Sequence, residues 1–312
     1  MNRFAWLLDR LAYEPRRNAK LALIADYLRT TPDPDRGLAL AAMTGGLVFP
    51  NAKAGLIRAL IAERTDPVLF ALSYDYVGDL SETVALMWPA KHGANDVPHL
   101  PDVVSGLRNA GKTDLPRLVA SWLDALDETG RWALLKLITG SLRIGVSARL
   151  AKTAAASLGG VVPDDVEQVW HGLEPPYREL FAWLEGRGVR PEATDPAPFR
   201  PVMLSHPVDD GDFEKMEPVE FQAEWKWDGI RVQAVSGTRP DGSRVTRLFS
   251  RTGEDIAAAF PDVVEALTLD GALDGELLVR REEAVQSFNT LQQRLNRKSV
   301  TAKMLVEYPA HI

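Results

Sequence analysis

The segment Glu224-Trp225-Lys226-Trp227-Asp228-Gly229-Ile230-Arg231 alternates charged and aromatic residues before it reaches a glycine. Period-two alternation predicts a strand, whose alternate side chains share a face. Glu224, Lys226 and Asp228 are expected on one face, and Trp225 and Trp227 on the other, in packing. The strand then presents one amine between two carboxylates, and Gly229 permits a tight turn or the close approach of a ligand. A lysine is a nucleophile only as the neutral amine, which burial, nearby cations or a metal favour. Attack on the α-phosphate of a nucleotide would form a phosphoramidate and release pyrophosphate. Such a step needs positive charge on the phosphates, for which Arg231 and Arg251 are candidates. Taken alone, the segment equally fits a surface strand with its charges in solvent.

Further strands are expected at residues 231–235, 245–249 and 273–279. Asp241-Gly242 is expected to turn the first into the second. A helix is expected over 254–267, with Ile256, Phe260, Val263, Val264 and Leu267 on its apolar side, and a strand over 304–312. Before Pro201 the texture differs. Gly188, Pro191, Pro196, Pro198 and Pro201 punctuate a polar stretch that reads as a linker. The residues ahead of it carry helical spacing: Phe4, Leu7, Leu8 and Leu11 on one face, then Leu21, Ile24, Tyr27 and Leu28. Asp79 or Ser81 is placed to cap a helix carrying Val84, Met87 and Trp88, which Pro89 would stop. Residues 133–138 run into Gly140, and a helix over 147–158 ends at Gly159-Gly160. The division is an all-α domain over 1–195 followed by an α+β domain over 196–312 with its sheet incomplete.

Length favours two domains, and 46% hydrophobic with 25% charged residues describes a globular chain. The absence of cysteine excludes disulfides, thiolate catalysis and zinc-thiolate sites, and fits a reducing compartment. Asp9 and Arg10 interrupt the first apolar run too early for a signal segment, and no stretch is long enough to span a membrane. The expected location is cytoplasmic. The net charge of -7 does not itself suggest nucleic acid, although phosphate contacts need only a local basic face.

The lysine segment resembles the KxDGxR motif of covalent nucleotidyltransferases. Leu248-Phe249-Ser250-Arg251-Thr252 and Leu273-Asp274-Gly275-Glu276-Leu277 follow in the order of that superfamily's next two motifs. Alone, the first could be a turn into a helix, and Asp274-Gly275 a hairpin turn. The resemblance implies Lys226 as acceptor of AMP and Glu224 as acceptor from the adenine amino group, selecting ATP over GTP. It implies Arg231 and Arg251 on ribose or phosphate, Glu276 on ribose or Mg²⁺, and Asp228 as a residue that shapes the motif.

Within that superfamily the chain resembles ATP-dependent DNA ligases. Tyr76-Val77-Gly78-Asp79-Leu80-Ser81-Glu82-Thr83 and Gly140-Ser141-Leu142-Arg143-Ile144-Gly145-Val146-Ser147 are similar to segments of their helical DNA-binding domain. Arg200-Pro201-Val202-Met203-Leu204-Ser205 matches the lead-in to the lysine domain. Phe288-Asn289-Thr290-Leu291-Gln292-Gln293-Arg294-Leu295-Asn296-Arg297-Lys298 resembles the continuation. The resemblance implies an N-terminal DNA-binding domain and the first part of an adenylation domain with ATP-grasp-like antiparallel sheets. The later motifs and the OB-fold domain are not in these 312 residues. It implies ATP and Mg²⁺ as cofactors, nicked double-stranded DNA as substrate, and a monomer.

Gly140 and Gly145 bracket a place where backbone can approach phosphate. Arg143, Arg149 and Lys152 are the candidate contacts there, unless the segment is only a helix junction with solvated charges. Arg294, Arg297 and Lys298 form a second basic cluster, expected to be a solvated face. Two other readings stand beside nick sealing: a related nucleotidyltransferase acting on RNA ends, and a non-catalytic DNA-binding fragment.

Overall fold

The computed structural model describes the chain apart from residues 90–95, 141, 193, 194, 201, 203–206, 283, 296, 298, 299 and the side chain of Lys215. Ser141, Pro201, Met203, Leu204, Ser205, Asn296 and Lys298, which belong to the quoted motifs, lie outside the described residues. The chain forms two compact units. One is Met1–Val166 with Leu173–Pro191, the other Glu167–Gly172 with Glu192–Ile312.

The first unit is helical. Helix α1 (Asn2–Tyr13) buries Phe4, Leu7, Leu8 and Leu11, a single stripe of 3.6-residue period. Helix α2 (Arg17–Thr30) buries Ile24, Tyr27 and Leu28. Then come α3 (Asp35–Met43), α4 (Ala54–Ala62) and α5 (Pro67–Val77). Helix α6 (Leu80–Met87) starts at Asp79, whose carboxylate accepts the Glu82 N–H at 3.0 Å, and ends before Trp88-Pro89. After α7 (Leu100–Asn109) and α8 (Leu115–Ala125), helix α9 (Glu128–Thr139) terminates at left-handed Gly140. Ser147 caps α10 (Ala148–Gly159), which stops at left-handed Gly160. Helix α11 (Pro163–Trp170), which runs from Glu167 on into residues of the second unit, and α12 (Arg178–Leu184) follow. Helices α1 and α6 pack on α9, and α2 packs on α10.

The second unit holds a small antiparallel sheet of β1 (Ile230–Thr238), β2 (Arg244–Ser250), β3 (Gly271–Arg281), β4 (Ala284–Val285) and β5 (Ala310–His311). The order is β2-β1-β3-β4, with β5 also on β3. The first three strands contain the three runs expected from sequence beyond Asp228, and Gly242 turns β1 into β2 at φ +83°. One face of the sheet carries Val232, Ala234, Leu248, Leu277 and Val279. It packs against Phe260, Val263 of α13 (Pro261–Ala266) and Leu291 of α14 (Phe288–Gln292). On the opposite face Val235, Val245 and Phe249 meet Ala197 and Phe199.

Four expectations are corrected. The strand expected at Glu224–Asp228 is irregular, and β1 starts only at Ile230. The reason lies in β3: Ile230 pairs with Leu277, but Leu278 and Val279 pair with His311 and Ala310 of β5. The lysine segment therefore has no ladder in β3, and its tryptophans are not packed, Trp225 being 85% exposed and Trp227 49%. The helix expected over 254–267 begins at Pro261, whose ring suits a first turn and not a helix interior. Of residues 304–312, the first four end α15 (Ala302–Glu307), which Thr301 caps, and only Ala310–His311 are strand, forming β5. Arg294 is not solvated but fully buried, forked onto Asp262 at 2.6 and 2.7 Å, with Ala259 and Tyr308 carbonyls taking further N–H groups.

Candidate nucleotide cleft and basic loop

Antiparallel pairing sets Arg231 opposite Glu276 and Gln233 opposite Asp274. Alternation puts all four on the face that also carries Val235, because Val232 and Ala234 turn the other way into the core. Past the end of β2, residues 250–254 form a tight turn. The Ser250 N–H donates to the Glu254 carbonyl at 2.8 Å, and Gly253 takes φ +81°. This turn carries Arg251 to the same end of the sheet. The irregular segment ahead of β1 brings Glu224 and Lys226 there as well.

A cleft of about 960 Å³ results, lined by Glu224, Lys226, Arg231, Arg251 and Glu276, all five cleft residues expected from sequence. Gln222, Trp225, Trp227, Asp274 and Gly275 complete the wall. Lys226 is exposed. The Arg231 guanidinium reaches Asp274 at 3.4 Å, and Gln233 donates to the other Asp274 oxygen at 2.9 Å. Glu276 accepts the Gly229 N–H at 3.2 Å and so ties the turn behind the lysine to β3. Asp228 is exposed outside the lining. Sequence reading missed the tryptophans as cleft residues because it assigned them to packing. It missed Asp274 because that residue was weighed only as a turn former.

Among the described residues no group of three or more His, Asp or Glu side chains is placed to hold a metal. Glu276 is a single carboxylate with one oxygen already engaged. It suits only the sparse protein ligation typical of Mg²⁺, where phosphates and water supply the remaining ligands.

In the helical unit the segment after α9 is a loop of left-handed residues: Gly140 at φ +68°, Arg143 at +51° and Gly145 at +64°. Lys20 of α2 is buried beneath it and donates to the Ile144 and Gly145 carbonyls at 2.6 and 3.0 Å. Arg143 is exposed. Arg149 is half-buried and pairs with Asp164 at 2.8 Å. Lys152 departs from expectation. It is 4% exposed on the buried side of α10, among Ala151, Ala154 and Ala155, and does not share the open face of Arg143. Asp79 ties the first helical motif to α9, its second oxygen taking the Lys136 ammonium at 2.6 Å. Burial opposes the charge on Asp79, but Lys136 and the Glu82 N–H outweigh it and hold the carboxyl below its ordinary range.

Residues 202–312, which include every lining residue of the cleft, match the family described as "ATP dependent DNA ligase domain". This stretch is similar to an ATP-dependent DNA ligase domain. Similarity to curated ligases extends along the chain ahead of that domain. A probable DNA ligase of Koribacter versatilis is 27% identical over 99% of this chain and 55% of its own length. DNA ligase 1 of Korarchaeum cryptofilum is 25% identical over 99% of this chain and 59% of its own. The DNA ligase of Archaeoglobus fulgidus is 31% identical over 56% of this chain and 32% of its own. The chain thus spans little more than half the length of the first two. No helix among the described residues is long and apolar enough to cross a membrane.

Proposed function

We propose that the protein is an ATP-dependent DNA ligase that seals nicks in duplex DNA through a lysine-AMP intermediate at Lys226. The observation that carries this reading is convergence. Residues from three separated segments, Glu224 and Lys226, Arg251, and Glu276, reach one cleft beside Arg231. A coincidence of sequence motifs would not require that. In the first step the Lys226 Nζ attacks the α-phosphorus of ATP. The N–P bond forms as the bond to the β-phosphate oxygen breaks, pyrophosphate leaves, and the amine proton passes to solvent. Arg231 and Arg251 offset phosphate charge or hold the ribose. Glu224 accepts from the adenine amino group. Glu276 would meet the ribose or hold Mg²⁺, which would supply neutralisation of the phosphate charge. AMP then passes to the 5′-phosphate at the nick, and attack by the 3′-hydroxyl joins the strands and releases AMP.

The helical unit is assigned to the duplex. Arg143 lies on an exposed loop whose left-handed backbone is braced from below, with Arg149 close by in sequence at the start of α10. Such backbone contacts carry no base sequence, as suits an enzyme that acts on any nick. In this reading the second unit is the start of an adenylation domain, and the division of labour falls near residue 195.

The test is the intact mass of the complete open reading frame after incubation with ATP and Mg²⁺, following removal of bound AMP with pyrophosphate. A gain of one AMP, mapped to Lys226 and absent from Lys226→Ala, is expected. No gain in the parent protein would overturn the proposal and leave the DNA-binding fragment as the better reading. Sealing of nicked RNA in preference to nicked DNA would transfer the assignment to RNA ends.

A further inference from the structure

Gln233 is an uncharged side chain on a strand otherwise divided between core and cleft, and it is 4% exposed. Its Oε1 accepts the Arg200 N–H at 2.7 Å, and its Nε2 donates to Asp274 Oδ1 at 2.9 Å. The first bond fixes the second. A backbone N–H can only donate, so it must face the amide oxygen, and the NH₂ must then face Asp274. Asp274 is thereby held as an acceptor. Its other oxygen, Oδ2, takes the Arg231 guanidinium at 3.4 Å on the cleft wall. Three groups stand in series from the segment ahead of the ligase sheet to a cation facing the nucleotide cleft.

We propose that Gln233 and Asp274 are positioning residues for nucleotide binding: the amide of Gln233 orients the Asp274 carboxylate, which in turn sets Arg231 in the cleft. Neither needs to touch the nucleotide. The inference rests on the proposed nucleotide chemistry of this cleft, and it assigns a role to two residues outside the five named for direct contact. Arg231 is partly exposed, so its ion pair with Asp274 has little worth as a stabilising contact. Its consequence is orientation: a long side chain that would otherwise sample many rotamers is restrained to one side of the cleft.

Gln233→Glu tests this with nearly no change in shape. The introduced carboxyl group would still accept the Arg200 N–H. When protonated it would still donate to Asp274. When ionised it would face a second carboxylate at hydrogen-bond distance, and two such groups do not both ionise freely. In the complete protein, the variant is expected to keep near-parental KM for ATP in lysine adenylation at about pH 6. That KM should rise roughly tenfold toward about pH 9, the scale of losing one charge-assisted contact, while kcat changes little. The parent should show no matching rise. Asp274→Asn, at a partly exposed site, should raise KM by a similar factor at every pH. Combining it with Arg231→Ala should add little to Arg231→Ala alone. Melting curves check that each variant is folded, and Asp274→Asn serves if Gln233→Glu is not. A KM that tracks the parent across the pH range in Gln233→Glu, or stays parental in Asp274→Asn, would overturn the positioning role and leave the ligase reading intact. A parent protein that takes up no AMP would overturn both.

Discussion

Gly229 illustrates how a single residue shapes the cleft. Its φ is not left-handed, so conformational freedom is not the reason for glycine there. A Cβ at this position would fall 2.4 Å from the Leu277 carbonyl oxygen and 3.0 Å from Glu276 Cγ. The obstacle includes backbone of β3, which cannot rotate aside. Gly229→Ala should therefore lift the turn off β3, break its bond to Glu276 and misplace Lys226. Given the sensitivity of attack geometry to ~1 Å errors, we expect lysine adenylation to slow by about 100-fold or more. The check is the rate of adduct formation at saturating ATP, and an unchanged rate would refute the steric argument. This much was legible in general terms, since a glycine after the lysine implied either a turn or a close approach. Only the structure distinguishes the two. Likewise, the charged members of the cleft were legible because they stand in the three motif segments that carry the resemblance. The partners of Asp274 were not, because cross-strand register decides them and a single strand does not encode its neighbour.

At the scale of elements, two buried lysines brace the helical unit. Lys136 of α9 is anchored by the cap of α6, and Lys20 of α2 holds the loop that leads into α10. Gly145 is part of the same device: besides its left-handed φ, a Cβ there would lie 2.4 Å from the Lys20 Nζ. Lys20→Met removes both hydrogen bonds and leaves two carbonyls of the loop without that donor. If the loop presents Arg143 to DNA, nicked-duplex binding should weaken by roughly tenfold in Lys20→Met, the scale of one or two such bonds. Lysine adenylation should be unaffected. Lys20→Met with Arg143→Ala should be little worse than Arg143→Ala alone. Full additivity in a titration of labelled nicked duplex would show that Lys20 acts elsewhere. Helix existence was readable here from apolar spacing and from signals such as the Asp79 cap and the Gly159-Gly160 stop. The burial of Lys20 and Lys152 was not. A lysine reads as solvated unless the tertiary partner that receives its ammonium is known. The short helix after Pro261 and the late start of β1 have the same origin, local preference yielding to neighbours distant in sequence.

For the whole molecule, charge gives two separate expectations. The chain is acidic overall at -7, so any grip on DNA must come from local groups such as Arg143. Binding should fall with salt, with a slope of about -0.9 per phosphate neutralised. Titration at several salt concentrations should show the slope reduced by about one in Arg143→Ala; an unchanged slope would remove that residue from the interface. The second concerns stability toward acid. Arg36, buried in the helical unit, pairs with Asp33 and Glu185. The Arg36 guanidinium, with Arg187 adding to it, lowers the Glu185 carboxyl to about 2. A carboxylate depressed on folding contributes stability above its unfolded value and loses it as pH falls toward the folded one. Melting temperature should therefore drop between the ordinary carboxylate range and about pH 2, and Glu185→Gln should flatten that drop. An equal drop in the variant would place the acid sensitivity elsewhere.

The absent ladder along the lysine segment has a thermodynamic consequence. If Lys226 takes AMP from ATP as proposed, residues 224–228 meet the nucleotide without strand pairing in β3 to hold them. Fixing one residue's backbone costs about 1–2 kcal/mol, so part of the binding free energy of the nucleotide would go into ordering the attacking segment. Calorimetry should report a favourable enthalpy offset by an unfavourable entropy. Amide hydrogens along these residues should exchange rapidly in the free protein and slow markedly once AMP is attached. The nucleotide would then be both the reactant and the last piece of the site's framework.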